Sequence, residues 1–210
     1  MALIFSIIVL IMSVVIHEVS HGVVADKLGD PTARFAGRLT LNPLKHLDLF
    51  GSILLPLLLI IMRSPILIGW AKPVPYNPYN LKNPEKGAAL IGAAGPVSNF
   101  AIAGVFSVLV RIFATGNAIS LNNPASFADF LGIIVFINLL LGTFNLIPIP
   151  PLDGSKILFL KLSEFSKAKL YLQLYGMFFL LIFIFFFSNY LAIVVEWLFT
   201  LLTGLSLTLY

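Results

Sequence analysis

Two of the chain's three histidines stand four residues apart, as His17-Glu18-Val19-Ser20-His21, with a glutamate directly after the first. Residues at i and i+4 share one face of a helix, so both imidazoles can reach a single ion. Glu18 sits where it can take a proton from water held by that ion without occupying a coordination position. Zinc lowers the pKa of such a water from 15.7 to about 7 and polarises a carbonyl, and both effects serve peptide hydrolysis. Two imidazoles leave such a site one protein ligand short, since catalytic zinc normally takes three. Cysteine is absent, so the third ligand must be His, Asp or Glu.

The candidates in or beside apolar segments are Asp129, Asp153, Glu164 and Glu196, with His46 in a loop. Asp153 stands out because it ends Asn145-Leu-Ile-Pro-Ile-Pro-Pro-Leu-Asp153, whose prolines stop a helix and free backbone groups that hydrocarbon cannot satisfy. Its competing role is an N-cap for the segment Ser155 to Leu162. Asp129 reads as a cap at the opposite face, Glu196 as a group on a polar side of the last helix, and His46 as an interfacial residue or one that supports a ligand.

The elements that must position these groups are membrane elements. Of 210 residues, 59% are hydrophobic and 10% charged, against about a quarter charged in soluble domains. The expected fold is an all-α polytopic membrane protein with five or six transmembrane helices and a short β-hairpin or re-entrant segment after the first. The apolar segments are Ala2 to Val24, Phe50 to Met62, Gly87 to Phe113, Phe127 to Ile147, Leu170 to Phe187 and Tyr190 to Leu209, the last two joined by a tight turn at Ser188 and Asn189. The opening segment lacks a basic n-region and a cleavage site, and is expected to stay as a membrane helix. Alternation around Gly37 in Ala33 to His46 predicts a small strand pair, with Ala33 to Leu41 as an edge for an unwound substrate.

Twelve of thirteen Lys and Arg fall in three of the connecting loops, four in each, and none in the loop near Ala114 to Ser126. Orientation follows this charge: N-terminus outside, C-terminus inside, five full crossings, and a short Phe50 to Met62 that does not cross. His17 and Asp153 then meet near the inner face. Basic residues spread between spans in this way are topology signals, so no nucleic-acid partner is expected.

HExxH in an early membrane helix followed by Asn145-Leu-Ile-Pro-Ile-Pro-Pro-Leu-Asp153-Gly154 resembles the site-2 protease family of intramembrane zinc peptidases. The resemblance extends to GDPTARFAGRLTLNPLKH (Gly29 to His46), GWAKPVPYNP (Gly69 to Pro78) and AGPVSN (Ala94 to Asn99), and covers about the first 160 residues. It implies one catalytic Zn2+ on His17, His21 and Asp153, Glu18 as base, Asn145 beside the metal in contact with substrate or oxyanion, and Asn99 as the polar residue of a core helix. It also implies a catalytic core at about 1–160; together with the last two apolar segments, read as a C-terminal helical pair at about 170–209, this gives an expected single membrane-embedded peptidase domain over 1–210. The implied partners are the bilayer and a membrane protein or peptide substrate, in a prokaryotic cytoplasmic membrane with the active site near its cytoplasmic face. No segment is long enough for the PDZ or CBS modules of other branches, and Ser155-Lys156 replaces the family's Gly-Arg. The rival classes are a ZIP-like zinc transporter, which needs a second ligand-bearing helix, and an inactive membrane chaperone.

Overall fold

The computed structural model describes residues 2–54, 57–58, 61–62, 70–116, 118–162 and 166–208. Glu164, Gly69 and part of the segment Phe50 to Met62 lie outside them. Four helices are long and apolar enough to cross a membrane: α1 (Ala2–Lys27), α3 (Pro84–Phe113), α4 (Phe127–Asn145) and α6 (Lys167–Thr203). Short helices α2 (Thr32–Phe35) and α5 (Gly154–Phe159) follow α1 and α4. Strands β1 (Ala118–Ser120) and β2 (Ser206–Thr208) form a parallel pair.

Side-chain oxygens start the central helices where backbone N–H groups lack partners. Asn83 accepts from Lys86 N ahead of α3, and Ser126 with Asp129 forms a reciprocal capping box ahead of α4. The Asp129 carboxylate also accepts from the Ser120 and Ala125 amides, tying β1 and the α3–α4 connection to α4, which bears out its expected capping role. Helix α3 is the hub, packing along both α4 and α1. At the end away from the histidines the core is mainly apolar, with Ala103, Val110, Leu131, Val135, Leu139, Val195 and Phe199 buried around Ile119. At the histidine end the interior is polar instead, with His17, His21, Asn99, Asn138 and Asp153 buried.

Two expectations are corrected. The stretch Ala33 to His46 contains no strand: α2 occupies its start and a 3-10 turn, Pro43–His46, its end. Gly37 has φ +63° and terminates α2, with Arg38 N donating to Ala33 O and Gly37 N to Arg34 O. That pairing is a Schellman motif, so the glycine that read as a hairpin turn serves as a helix C-cap. The C-terminal helical pair is one uninterrupted helix of 37 residues, because Ser188 and Asn189 both continue the α-helix. Neither residue is a strong breaker when apolar helix formers flank it on both sides.

Continuity of α6 also reverses the placement of the C-terminus. A single traverse after α5 carries the chain back to the end where β1 lies, and Ala118 pairs with Ser206 there. The start of α1 and strand β2 therefore sit at the end opposite the histidine cluster, and the described residues contain four helices able to cross a membrane, against the five crossings expected. At about 1.5 Å per residue α6 is roughly 55 Å long, well beyond a 30 Å hydrocarbon layer. Most of its side chains are exposed, as are Leu3, Ile4, Ile7 and Ile8 on the first half of α1, giving an apolar outer surface suited to lipid.

Candidate metal centre

The HExxH stretch lies on α1, where the imidazoles of His17 and His21 are buried with ring centroids 4.7 Å apart and planes at 88°. Asp153 enters from the connection after α4, which includes a cis Pro150–Pro151 bond. It occupies the N-cap position of α5 but makes no side-chain capping bond. Its Oδ2 lies instead 3.0 Å from His17 Nε2 and 3.1 Å from His21 Nε2. Its Oδ1 accepts from Lys156 Nζ at 2.9 Å. Among the described residues these three are the His, Asp and Glu side chains grouped closely enough to hold one metal ion.

Hydrogen bonding decides what these atoms can do. His21 Nδ1 lies 2.6 Å from the backbone oxygen of Ile91, which can only accept, so Nδ1 carries the proton. His17 Nδ1 lies 2.6 Å from Asn99 Oδ1, another acceptor. Both Nε2 atoms of the neutral rings therefore present lone pairs toward a carboxylate oxygen. Three acceptors converging in a buried space require a cation among them or protonation of the rings. Tetrahedral zinc, with bonds of about 2.0–2.1 Å, separates its donors by about 3.3 Å, a few tenths from the spacing seen. The donor set, its burial and the acceptor behind each Nδ1 all fit that ion.

Space is provided by Gly95 of α3. A Cβ there would stand 2.5 Å from His17 Cε1 and Nε2 and 2.6 Å from His21 Cε1, inside van der Waals contact. The AGP sequence thus holds a bare backbone against the coordinating edges of both rings.

Glu18 points to a different neighbour, its Oε2 accepting from the Val74 amide at 3.0 Å. Val74 lies between Pro73 and Pro75, so its N–H is the one backbone donor of that tripeptide. The segment is strapped down on both sides. Buried Arg38 donates to the carbonyls of Lys72 and Pro73, Lys72 N donates to His46 O, and Asn77 N donates to Asp30 Oδ2. Burial pushes the Asp30 carboxyl up, but bonds from Thr32, Asn80 and Asn77 outweigh it and hold the group below the ordinary carboxylate range. The GDPT and KPVPYN sequences therefore meet as an anchor and a strap across Glu18.

The remaining candidates fall elsewhere. His46 is buried under the strap, its Nε2 donating to Thr40 O at 2.9 Å while Nδ1 has no partner. Glu196 is exposed on α6, and Asp129 lies at the far end. Asn145 is half-buried at the last position of α4, its Nδ2 donating to Leu141 O at 3.0 Å, so the structure does not draw its amide into the cluster. Asn138, fully buried beside Asn99, and Lys156 on Asp153 were not singled out from sequence as partners of the site. Lys156, three residues after Asp153, had a readable signal: a basic side chain one helical turn from a buried carboxylate.

A model of Peptidase family M50 matches residues 5–187. "Putative zinc metalloprotease YwhC" of Bacillus subtilis is 43% identical over 155 residues, 73% of this chain and 67% of that protein. Rip2 of Mycolicibacterium smegmatis, named in the same terms, is 30% identical across 69% of this chain and 52% of its own length. "Zinc metalloprotease MJ0392" of Methanocaldococcus jannaschii is 30% identical across 72% of this chain and 32% of its own. No solved structure matches. The matched family and these names indicate zinc as the metal for the cluster.

Proposed function

Given that the chain belongs to peptidase family M50, the site-2 proteases, we propose that it is an intramembrane zinc endopeptidase hydrolysing peptide bonds in transmembrane or membrane-proximal segments of its substrates. The observation that carries this reading is the approach of Asp153 Oδ2, across 136 residues of sequence, to 3.0 Å from His17 Nε2 and 3.1 Å from His21 Nε2 in the interior of a bundle whose outer surface is apolar.

In this reading His17, His21 and Asp153 hold the ion. When bound, zinc supplies Lewis-acid polarisation of the scissile carbonyl and acidifies water. Glu18 is the general base: one carboxylate oxygen is steadied by the Val74 amide, and the group takes a proton from the attacking water and passes it to the departing amine. Lys156 neutralises the outer oxygen of Asp153 and keeps the carboxylate turned toward the rings. Asn145 remains a candidate substrate contact; to reach a reacting carbonyl its amide must leave Leu141. The strap Lys72–Asn77, lying across Glu18, is the surface that a substrate meets first.

The same reading places residues 1–210 in one membrane-embedded peptidase domain. Of the twelve Lys and Arg among the described residues, eleven lie toward the cluster end of the four long helices, leaving Arg111 at the other, which favours a cytoplasmic face for the site in a prokaryotic cytoplasmic membrane. Phe50 to Met62 would span only about 20 Å as a helix, so we assign it a re-entrant course.

The test is metal analysis of the purified protein with cleavage of a membrane-spanning peptide in proteoliposomes, wild type against Glu18→Gln. Bound zinc in both proteins and cleavage by the wild type alone is expected. A zinc-free wild type, or an active Glu18→Gln protein, overturns the reading.

A further inference from the structure

His17 is the innermost link of a chain of buried amides that no metal ligand requires for coordination as such. Asn99 Oδ1 faces His17 Nδ1 at 2.6 Å, and Asn99 Nδ2 donates to Asn138 Oδ1 at 2.9 Å. Asn138 Nδ2 in turn donates to Ser13 Oγ and to Ile134 O, each at 2.9 Å. Both asparagines are 0% exposed, and the chain joins α3 and α4 to the helix that carries the histidines.

The direction of the whole chain follows from one atom. Ile134 O is a backbone carbonyl and can only accept, so the Asn138 atom facing it is the NH2 group. The Asn138 atom facing Asn99 is then the oxygen, which orients the Asn99 NH2 outward and its oxygen toward His17. An oxygen at His17 Nδ1 requires the proton on Nδ1, and the lone pair is left on Nε2, the atom turned to Asp153. A flipped amide at either asparagine would place an NH2 against Nδ1 and favour the opposite tautomer, with the Nε2 lone pair blocked by hydrogen.

We propose that Asn138, whose hydrogen bonds among the described residues go to Asn99, Ser13 and Ile134 and to none of the cluster residues, is a positioning residue that sets the His17 tautomer through Asn99 and so presets this ligand for zinc. The proposal rests on His17 being a zinc ligand. Partners that orient a ligating histidine are worth about 10–100-fold in metal affinity.

The experiment measures zinc affinity by chelator competition, and the ring-nitrogen NMR shifts of His17 in the metal-free protein, for the full chain in nanodiscs. Asn138→Leu frees the Asn99 amide to turn. It is expected to weaken zinc by about 10–100-fold and to shift His17 toward the Nε2–H tautomer. Asn99→Asp accepts from Nδ1 in either orientation, so in that background Asn138→Leu is expected to cost no more than about twofold to threefold. Should Asn138→Leu fail to fold, Asn99→Leu against Asn99→Asp makes the same comparison one link nearer, with loss in the first and retention in the second.

Undiminished zinc binding by Asn138→Leu, or an equal loss in the Asn99→Asp background, overturns the proposal. An unchanged His17 tautomer in Asn138→Leu overturns it independently of zinc. A wild type that binds no zinc but carries the Nδ1–H tautomer, lost in Asn138→Leu, retains the amide chain and refutes the metal-centre reading alone.

Discussion

Gly95→Ala places one methyl group where the metal centre has no room for it. The added Cβ would stand 2.5 Å from His17 Nε2 and Cε1 and 2.6 Å from His21 Cε1. Ordinary carbon contacts lie at about 3.5–4.0 Å, so each ring must retreat by about 1 Å. Neither ring can do so freely, because each is held from behind by a 2.6 Å bond, to Asn99 Oδ1 or to Ile91 O. Binding constellations tolerate about 0.5 Å of displacement. Overpacking costs about 1–3 kcal/mol, while alanine in a helix interior returns about 1 kcal/mol, so the net loss of stability is about 0–2 kcal/mol. A displacement near 1 Å costs about 100-fold in function. We expect a folded protein whose zinc affinity and cleavage rate each fall about 100-fold, read by chelator competition and proteoliposome cleavage. The control is Gly104→Ala on the same helix, whose Cβ meets nothing within 4 Å and which should match the wild type or slightly exceed its stability. A Gly95→Ala protein that keeps zinc and activity within about threefold would refute the steric argument, since a 1 Å error is worth far more than that.

His17→Ala and Asp153→Ala should each abolish zinc binding, whereas Asp129→Ala should retain zinc and lose stability by about 1–2 kcal/mol through its cap; metal content and thermal unfolding separate the two results. Lys156→Met leaves the outer Asp153 oxygen without its 2.9 Å partner and should weaken zinc by about tenfold. Asp30→Asn should lower stability by about 1–3 kcal/mol at neutral pH by mismatching buried donors. The Asp30 carboxyl is held low when folded, so its contribution is complete above its unfolded pKa of about 3.9 and declines as pH falls through the folded value. Wild type and Asp30→Asn should therefore differ by a constant amount above about pH 4 and converge below it, as pH-dependent unfolding in detergent would show. Reporter fusions after residue 208 and within the loop at 121–125 should report the same side of the membrane, and opposite sides would contradict a single traverse by α6.

Much of the candidate centre was legible because its signals are local or chemically rare. Two histidines at helical spacing, a glutamate between them and the absence of cysteine confine the chemistry to a metal on nitrogen and oxygen ligands. The prolines before Asp153 mark an interruption that hydrocarbon does not tolerate without a purpose. The elements that misled were those where a local pattern competes with a longer-range context. Gly37 suits a hairpin turn and a helix C-cap equally, and only the bonds of Arg38 and Gly37 back to α2 decide between them. Ser188 and Asn189 break apolarity without breaking a helix, and it is the pairing of β2 with β1 that places the end of α6.

Residue types and their spacing were enough to confine the candidate chemistry to a metal held by nitrogen and oxygen ligands and to mark the long helices as apolar, since each depends on one residue, one helical period or the composition of one segment. What they could not determine is which carboxylate completes the site, which nitrogen of His17 bears its proton, and what lies over Glu18. Those depend on Asp153, Asn99 with Asn138, and Val74, which arrive from separate elements 56 to 136 residues away. A contact between such distant positions is decided by the packing of α3 against α1 and α4, and packing leaves no period in the sequence for a reader to find.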